Sequence, residues 1–259
     1  MSESIFHLKD KHIWVIGGAG YLGQAIVQFL SRSGARVLCV DLGNKAQEFI
    51  TTANLGEKVV AATLDINDTG QIAQFITEQE SSQGPPDGMV NLTFGSTTKR
   101  LEDLTDNDFD QVNHTALTAT FILSRETASA MKAGGGSIVL FSSMYGVVSP
   151  NDELYAAPMQ KNPLEYGVGK AGIIQMTKYL AVHWAKQKIR VNCISPGPFP
   201  NPTVRQQHPD FIERLEKKSP MGRIGLSEEI AGPVAFLLSD EAGYITGHNL
   251  IVDGGWTVW

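Results

Sequence analysis

Tyr166 and Lys170 are the residues of this sequence whose types and spacing are best suited to moving a proton. They lie four positions apart in the stretch PLEYGVGKAGIIQMTKYL. Its apolar residues recur at helical spacing, so both side chains are expected on one face of a helix. A tyrosine with its ordinary pKa of about 10 is a poor base at neutral pH, but a nearby ammonium lowers that pKa. The pair is therefore a candidate acid–base group, although the same spacing in an arbitrary helix usually marks two surface residues.

A glycine-rich turn near the N-terminus is a candidate nucleotide site. Gly18, Gly20 and Gly23 follow the apolar run HIWVI and precede a helical pattern. Glycines in this setting let the backbone approach a pyrophosphate at the helix N-terminus, although a turn that binds no ligand is the alternative. Asp41 favours the nucleotide, because it ends the next apolar run, 18 residues after Gly23, where a carboxylate accepts ribose hydroxyls. The same carboxylate would repel a 2′-phosphate, so NAD is expected and NADP less so.

The elements that must position these residues alternate along nearly the whole chain. Seven short apolar runs are separated by longer stretches with helical periodicity, and strands that are apolar throughout belong to a parallel sheet covered on both faces. The pattern predicts one α/β domain over residues 1–259, a doubly wound Rossmann fold with a seven-stranded, mainly parallel sheet. Residues 144–165 and 198–219 break the pattern and are predicted to be substrate-site loops. The seven runs are HIWVIG, ARVLCVD, KVVAATLD, GMVNL, GSIVLFSS, IRVNCISPG and NLIVDGG.

Composition argues against several other classes of protein. The 259 residues are 42% hydrophobic and 19% charged, and the net charge of −6 leaves no basic surplus for binding a nucleic-acid backbone. The apolar runs are shorter than a membrane span, and residues 1–12 lack the pattern of a signal peptide. A cytoplasmic protein without nucleic-acid or membrane partners is therefore expected. Cys39 and Cys193 each lie inside an apolar run and are predicted to be buried thiols, with no metal site.

From end to end, the sequence resembles the short-chain dehydrogenase/reductase family in its compact single-domain branch. No single motif is specific, but the combination is. The resemblance implies an enzyme that transfers hydride between a nicotinamide cofactor and a secondary alcohol or ketone. Besides the glycine-rich turn, the shared motifs are LDI at 64–66, IVLFSS at 138–143, YGVGK at 166–170, RVNCISPG at 190–197 and the segment 222–255.

The resemblance also implies a catalytic set of four residues. Tyr166 would exchange the substrate hydroxyl proton, and Lys170 would lower the tyrosine pKa and hold the nicotinamide ribose. Ser143 would hydrogen-bond the reacting oxygen. Asn113, in the long fourth helix, would position a water that links Lys170 to solvent. Ser142 competes with Ser143, and the second serine of the pair is the one that matches the family position.

Cofactor contacts follow from the same likeness. Asp65 and Ile66 would flank the adenine, and Asn91 would lie near the adenosine at the end of the fourth strand. Thr203 is expected near the carboxamide or pyrophosphate. The complete expected cofactor-binding set is Gly17, Gly18, Gly20, Tyr21, Leu22, Gly23, Asp41, Asp65, Ile66, Asn91, Tyr166, Lys170, Pro196, Gly197 and Thr203.

Three departures from the family affect the expected site. The turn GGAGYLG is similar to that of the extended, sugar-nucleotide branch, and its Tyr21 places a bulky side chain near the pyrophosphate. The family's NNAG after the fourth strand is NLTF here, at 91–94, which alters the wall beside the cofactor. Residues 144–165 form a longer stretch between Ser143 and Tyr166 than is usual in the family.

The long stretch 144–165 bears on the substrate. A loop rich in polar groups suits a polyhydroxylated substrate, namely a sugar, a polyol or a sugar-derived acid. A solvated or subunit-contacting loop is an equal alternative. Tyr155 is a second tyrosine in the loop, but no lysine follows it four residues later, so Tyr166 is the better base. The polar residues are Asn151, Asp152, Glu153, Gln160 and Lys161.

Two further segments bear on substrate and assembly. Residues 201–220 resemble the family's mobile lid, whose basic residues, Arg205 among them, would meet a carboxylate or phosphate, with a solvated helix face as the alternative. Trp256 and Trp259 at the tail are expected to be buried in a neighbouring subunit. Family members are commonly tetramers, so a homotetramer or homodimer is expected.

Two other functions remain open. The glycine-rich turn also suits a sugar epimerase or dehydratase that keeps its NAD bound. A non-catalytic NAD-binding or scaffold protein is disfavoured, because a protein that only binds needs no tuned base and the set Asn113, Ser143, Tyr166 and Lys170 is intact.

Overall fold

The protein is built on one parallel sheet with helices on both faces. The computed structural model describes residues 6, 8–131, 134–157 and 159–259. Within them the strand order is β3-β2-β1-β4-β5-β6-β7, and each neighbouring pair is parallel. All seven predicted strands are confirmed. They are β1 His12–Ile16, β2 Arg36–Asp41, β3 Val59–Thr63, β4 Gly88–Asn91, β5 Gly136–Phe141, β6 Ile189–Pro196 and β7 Asn249–Val252.

Nine α-helices connect and cover the strands in the described part of the chain. Across these residues, no helix combines the length and apolar character that crossing a membrane requires. The helices are α1 Tyr21–Arg32, α2 Lys45–Thr52, α3 Thr69–Gln83, α4 Asp106–Asn113, α5 Thr120–Ala130, α6 Leu164–Trp184, α7 Pro202–Gln207, α8 Pro209–Lys218 and α9 Glu228–Leu238.

The helices differ from the sequence prediction in two places. The long fourth helix is divided, because a wider π-helical turn, His114–Ala119, separates α4 from α5. The predicted loop 198–219 contains α7 and α8. Its prolines explain this, since Pro202 and Pro209 each occupy a first-turn position, where proline favours a helix start. The Asn201 side chain also caps α7 by accepting a hydrogen bond from the Val204 backbone.

The core lies in two layers, one on each side of the sheet. Successive side chains of a strand point to opposite faces, and β1 shows the consequence. Trp14 and Ile16 pack with residues of α3, α5 and α6, whereas Ile13 and Val15 pack with residues of α1, α2 and α9. The free thiols Cys39 and Cys193 are buried in these layers, as predicted. The doubly wound α/β fold is thereby confirmed.

The strand order reverses at the centre of the sheet and so places the site. From β1 the chain moves outward through β2 to β3, and it then returns to pair β4 on the other side of β1. In open parallel sheets, such a switch point leaves a crevice at the carboxyl ends of the strands, where ligands bind. The glycine-rich turn, which joins β1 to α1, borders that crevice.

The glycine-rich turn depends on a close backbone approach at Gly23. A Cβ at this position would lie against the Gly17 carbonyl oxygen and 2.9 Å from the Gly18 Cα, which is closer than real Cβ contacts. Gly17 also has a φ of 81°, in the left-handed region that favours glycine. The turn therefore packs α1 onto β1 only because these positions carry no side chain.

We expect Gly23→Ala to lower the free energy of unfolding by about 1–3 kcal/mol, because the added methyl group overpacks the turn. Gly232→Ala, in α9, is the matched control. A Cβ there meets nothing within 4 Å, and alanine in a helix is favoured over glycine by up to about 1 kcal/mol. Urea unfolding followed by tryptophan fluorescence measures both changes. Equal stability of Gly23→Ala and wild type would contradict the close approach.

Candidate active site

A cavity of about 540 Å³ opens along the carboxyl edge of the sheet. Its walls include residues at or just after the ends of six strands, namely Ile16, Asp41, Leu64, Leu92, Phe141 and Pro196. The predicted site residues that line it are Gly17, Gly20, Tyr21, Leu22, Gly23, Asp41, Asp65, Ile66, Ser143, Tyr166, Lys170, Pro196 and Gly197. The predicted site residues outside its lining are Gly18, Asn91, Asn113 and Thr203.

The hydroxyls of Ser143 and Tyr166 are hydrogen-bonded to each other in this cavity. Ser143 is the second residue after the end of β5, and Tyr166 lies in the first turn of α6. Burial raises the pKa of Tyr166, and the hydrogen bond with Ser143 opposes that rise. The neighbouring Ser142 has a different partner, since its hydroxyl donates to the Lys170 carbonyl at 2.7 Å. Ser143 is thus the serine that the fold presents to the tyrosine.

Lys170 is buried one helical turn after Tyr166. Its Nζ donates to the Phe141 carbonyl oxygen at 2.8 Å and lies 5.7 Å from the centre of the Tyr166 ring. Burial penalises the ammonium and lowers the pKa of Lys170 to about 8. The cation is therefore fixed at the end of β5, next to the tyrosine, in a site with little solvent.

Asn113 lies against α6, next to Gly169. It ends α4, and its Nδ2 donates to the Phe109 carbonyl at 2.9 Å. Its Oδ1 is buried and has no hydrogen-bond partner among the described residues. A Cβ on Gly169 would lie 3.2 Å from this oxygen, so the oxygen faces α6 beside Lys170. A buried amide oxygen without a protein partner is a position where an ordered water is expected.

Asp41 connects the end of β2 to the glycine-rich turn. Its Oδ2 accepts a hydrogen bond from the Ala19 backbone at 3.0 Å, and its Oδ1 accepts one from the Leu42 backbone at 2.8 Å. The carboxylate lines the cavity, as does Lys45. Gly18 instead packs under the turn, where a Cβ would lie 2.7 Å from the Cys39 sulfur. Gly18 therefore contributes close packing of the turn.

Of the residues predicted to lie near the adenosine, Asp65 and Ile66 line the cavity and Asn91 does not. Ile66 is buried and Asp65 is exposed, and both line the cavity. Asn91 is directed into the protein, because its Nδ2 donates to Thr120 at 3.0 Å and its Oδ1 accepts from the Thr93 backbone at 3.1 Å. Its side chain thus ties β4 to α5.

Thr203 lies on the solvent side of α7. It is exposed and does not line the cavity, whereas Asn201, two residues earlier, does. The Pro-rich sequence around it gave no register from which this difference could be deduced.

A dinucleotide fits the cavity. Its volume lies within the range of about 300–1,000 Å³ typical of ligand pockets. The first turn of α1 has no acidic residue and no side-chain cap at Gly20, which leaves its backbone N–H groups open to a pyrophosphate. Among the residues that the structure describes, no group of three or more His, Cys, Asp or Glu is placed to hold a metal ion.

Phe94 is a cavity residue whose position the sequence did not reveal. Its side chain is 65% exposed and its ring stands edge-on to Tyr166, with 6.3 Å between ring centres. The Lys170 Nζ lies 5.9 Å from the same ring. The altered motif at 91–94 indicated a changed wall, but only the path of the loop after β4 places this ring next to Tyr166 and Lys170.

Glu165 is a second residue that the sequence did not reveal. It is fully buried, and its Oε1 accepts hydrogen bonds from the Thr97 backbone at 3.1 Å and the Thr97 hydroxyl at 2.7 Å. Its Oε2 has no hydrogen-bond partner among the described residues. A glutamate in a first helical turn is ordinarily exposed and favoured by the helix dipole, so its burial could not be predicted from the pattern.

The inserted segment 144–165 packs against α8. The Arg214 Nε donates to the Leu154 carbonyl at 2.8 Å, and the rings of Tyr155 and Phe211 lie 5.4 Å apart. The hydroxyl of Tyr155 is hydrogen-bonded to that of Tyr145 at 2.6 Å, and burial raises the pKa of both tyrosines. Tyr155 does not line the cavity, whereas Tyr166 does.

The polar residues of the insertion do not reach the cavity. Asp152 and Lys161 pair with each other at 2.7 Å and remain largely exposed, and the Asn151 side chain accepts from the Glu153 backbone. The polar character of the loop therefore does not support a polyhydroxylated substrate.

The expectation for Trp256 was wrong. This side chain is buried within its own chain, in a cluster that includes Met144 and Leu215 and packs against Tyr166. Trp259 is 68% exposed, with the Lys218 Nζ 5.2 Å from its ring. The short turn Trp256–Val258 explains the difference, since Asp253 accepts hydrogen bonds from the backbones at 255 and 257 and folds the tail back. The oligomeric state stays a prediction.

Comparison with known proteins identifies the family. The family model described as enoyl-(acyl carrier protein) reductase matches residues 18–257. An NAD-dependent glycerol dehydrogenase from Listeria innocua is 30% identical over 255 residues, which cover 98% of this chain and 96% of that protein.

Two solved structures are similar throughout. A short chain dehydrogenase from Leptospira borgpetersenii with bound NAD+ is 35% identical, with a TM-score of 0.83 over 96% of this chain and 94% of that one. A gluconate dehydrogenase candidate from Agrobacterium tumefaciens is 26% identical, with a TM-score of 0.89 over 98% and 99%. Since sequence, fold and cavity agree along the whole chain, the protein belongs to the short-chain dehydrogenase/reductase family, whose members are NAD(P)-binding oxidoreductases acting on CH–OH groups.

Proposed function

We propose that this protein is an NAD-dependent oxidoreductase that interconverts a secondary alcohol and a ketone, with Tyr166 as its acid–base group. The observation that carries the proposal is the hydrogen bond between the Ser143 and Tyr166 hydroxyls in the cavity, with the Lys170 ammonium buried beside them. When bound, the nicotinamide cofactor supplies the hydride acceptor or donor.

The Tyr166 hydroxyl exchanges the proton of the reacting oxygen, and the Ser143 hydroxyl stabilises the charge on that oxygen. In alcohol oxidation, the ionised Tyr166 oxygen takes the substrate hydroxyl proton, and in ketone reduction the tyrosine returns it. Ser143 donates a hydrogen bond to the reacting oxygen and stabilises the negative charge that develops there. Their mutual hydrogen bond supports a position for one substrate oxygen within reach of both hydroxyls.

Lys170 and Asn113 support the tyrosine. Burial disfavours the tyrosinate, and the ammonium 5.7 Å from the ring centre favours it electrostatically. Lys170 also holds the nicotinamide ribose in this proposal. The buried Asn113 oxygen beside α6 holds a water that connects Lys170 to solvent, which its lack of a protein partner supports.

The preference for NAD rests on Asp41. Its carboxylate lies in the cavity at the end of β2, where it would accept ribose hydroxyls and repel a 2′-phosphate. Lys45 also lines the cavity and is the residue that would favour binding of a 2′-phosphate. The bound NAD+ in the Leptospira borgpetersenii structure also supports this preference.

A polyol, a sugar or a sugar-derived acid is the substrate class that the relatives support, because a glycerol dehydrogenase and a gluconate dehydrogenase candidate are among them. One observation favours a second class, aryl ketones and the matching alcohols. Phe94 offers a largely exposed ring at the catalytic tyrosine, and aromatic side chains pair favourably with other rings.

A substrate panel separates these possibilities. The wild-type protein is incubated with NAD+ or NADP+ and glycerol, gluconate or 1-phenylethanol, and NAD(P)H formation is followed by absorbance. We expect net NADH formation from a polyol or a sugar acid, and activity on 1-phenylethanol alone would favour the aryl class. A retained-cofactor epimerase forms no net NADH, so absence of NADH with every alcohol in the panel would contradict the proposal.

We expect Tyr166→Phe to lower kcat by about 10²–10⁴-fold, because the variant lacks the acid–base group. NADH binding, measured by fluorescence, should persist. Tyr155→Phe is the matched control, since it removes a buried phenol hydroxyl whose partner is Tyr145, and it should keep most of the turnover. Equal activities of Tyr166→Phe and wild type would overturn the assignment.

We expect Asp41→Asn to lower the NAD-to-NADP ratio of kcat/KM by about tenfold or more, equivalent to about 1.4 kcal/mol. The substitution keeps an amide oxygen that can accept from the Ala19 backbone but removes the charge that repels a 2′-phosphate. Asp65→Asn removes the same charge elsewhere in the cavity and should leave the ratio near that of wild type. Equal ratios in both variants would show that Asp41 does not select the cofactor.

A further inference from the structure

Arg205 joins the lid to the glycine-rich turn. It lies on α7, and its Nη2 donates to the Tyr21 hydroxyl at 2.8 Å. The centre of its guanidinium lies 6.0 Å from the centre of the Tyr21 ring. Tyr21 is the first residue of α1 and lines the cavity. A charged residue of the lid therefore contacts the turn where a bound pyrophosphate would lie.

The guanidinium is held in place from the lid side. Its Nε donates to the Pro200 carbonyl at 2.8 Å, and its Nη2 also donates to the Gly225 carbonyl at 3.1 Å. These bonds connect Arg205 to the segments before α7 and before α9. Because arginine has a rigid planar group with several donors, three carbonyl or hydroxyl acceptors fix its direction towards Tyr21.

The charge on Arg205 suits the proposed cofactor. The first turn of α1 carries no acidic residue, and a pyrophosphate brings negative charge to this helix N-terminus. The guanidinium itself does not line the cavity, so it acts from behind Tyr21. This position allows the residue to hold the lid closed and to add positive potential near the turn.

The far end of the lid is attached separately. Arg214 of α8 donates to the Leu154 carbonyl in the inserted segment, away from the glycine-rich turn. The two arginines therefore anchor the two ends of the lid to different walls, and the Arg205 end is anchored to a residue of the cofactor cavity.

We propose that Arg205 and Tyr21 form a strap that keeps the lid closed over the bound dinucleotide and slows its release, a proposal that rests on the cofactor site of the proposed function. Both are positioning residues. The strap depends on the tyrosine hydroxyl, which a glycine at position 21 would not supply. It gives a function to Tyr21, whose bulk otherwise crowds the turn.

The test measures NADH release by stopped-flow fluorescence in wild type, Tyr21→Phe, Arg205→Met and the double variant. We expect the release rate to rise about tenfold in Arg205→Met, equivalent to about 1.4 kcal/mol, and to rise in Tyr21→Phe as well. The double variant should release NADH no faster than Arg205→Met, because both substitutions break the same contact. Arg214→Met, at the other end of the lid, should release NADH at the wild-type rate.

A second readout follows the lid itself. Chymotrypsin cleavage at Phe211 should be slowed by NADH in wild type and slowed much less in Tyr21→Phe, a conservative variant that keeps the ring. Wild-type release rates in both single variants, or fully additive effects in the double variant, would overturn the strap. If wild type binds neither NADH nor NADPH, the cofactor site itself is wrong and the strap falls with it.

Discussion

The close approach between the end of β5 and α6 is the constraint on which the active site depends. A Cβ on Gly146 would lie 2.7 Å from the Lys170 carbonyl carbon. Only glycine therefore fits at position 146, where the chain after β5 passes α6. The Ser142 hydroxyl donates to the Lys170 carbonyl, and the Lys170 ammonium donates to the Phe141 carbonyl. Both the backbone and the side chain of Lys170 therefore hold α6 against the end of β5. This contact places Ser143 next to Tyr166.

Burial disfavours the charged forms of both Tyr166 and Lys170. It raises the pKa of Tyr166 and lowers the pKa of Lys170, because both shifts express the cost of placing a charge in a poorly solvated site. A tyrosinate and an ammonium are each unfavourable there alone, and each reduces the cost of the other. In the proposed mechanism, an ionised Tyr166 would therefore depend on Lys170 more strongly than it would at a solvated helix surface.

The sequence was sufficient for the strands and for placing Tyr166 and Lys170 on one helix, and the reasons are physical. Strands buried on both faces must be apolar throughout, which makes them easy to recognise, and a spacing of four in a helix fixes a shared face. A polar residue at a strand end is ambiguous by comparison. Asp41 lines the cavity, whereas Asn91, at the equivalent end of β4, bonds to Thr120 inside the protein. Whether such a residue lines the cavity or bonds inside the protein depends on the neighbouring helices and strands. The periodicity of the sequence carries no information about those neighbours.

The same limitation explains why the path of the loop after β4 could not be anticipated from the sequence. Thr98 adopts a φ of 61°, a strained conformation for a β-branched residue. The adjacent Thr97 is bound twice by the buried Glu165, which offsets that strain and fixes the loop to the first turn of α6. Phe94 at the start of the loop is therefore held over Tyr166. The tyrosine is positioned by β5 on one side and covered by this ring on the other, so the loop after β4 bears on which substrates can reach it.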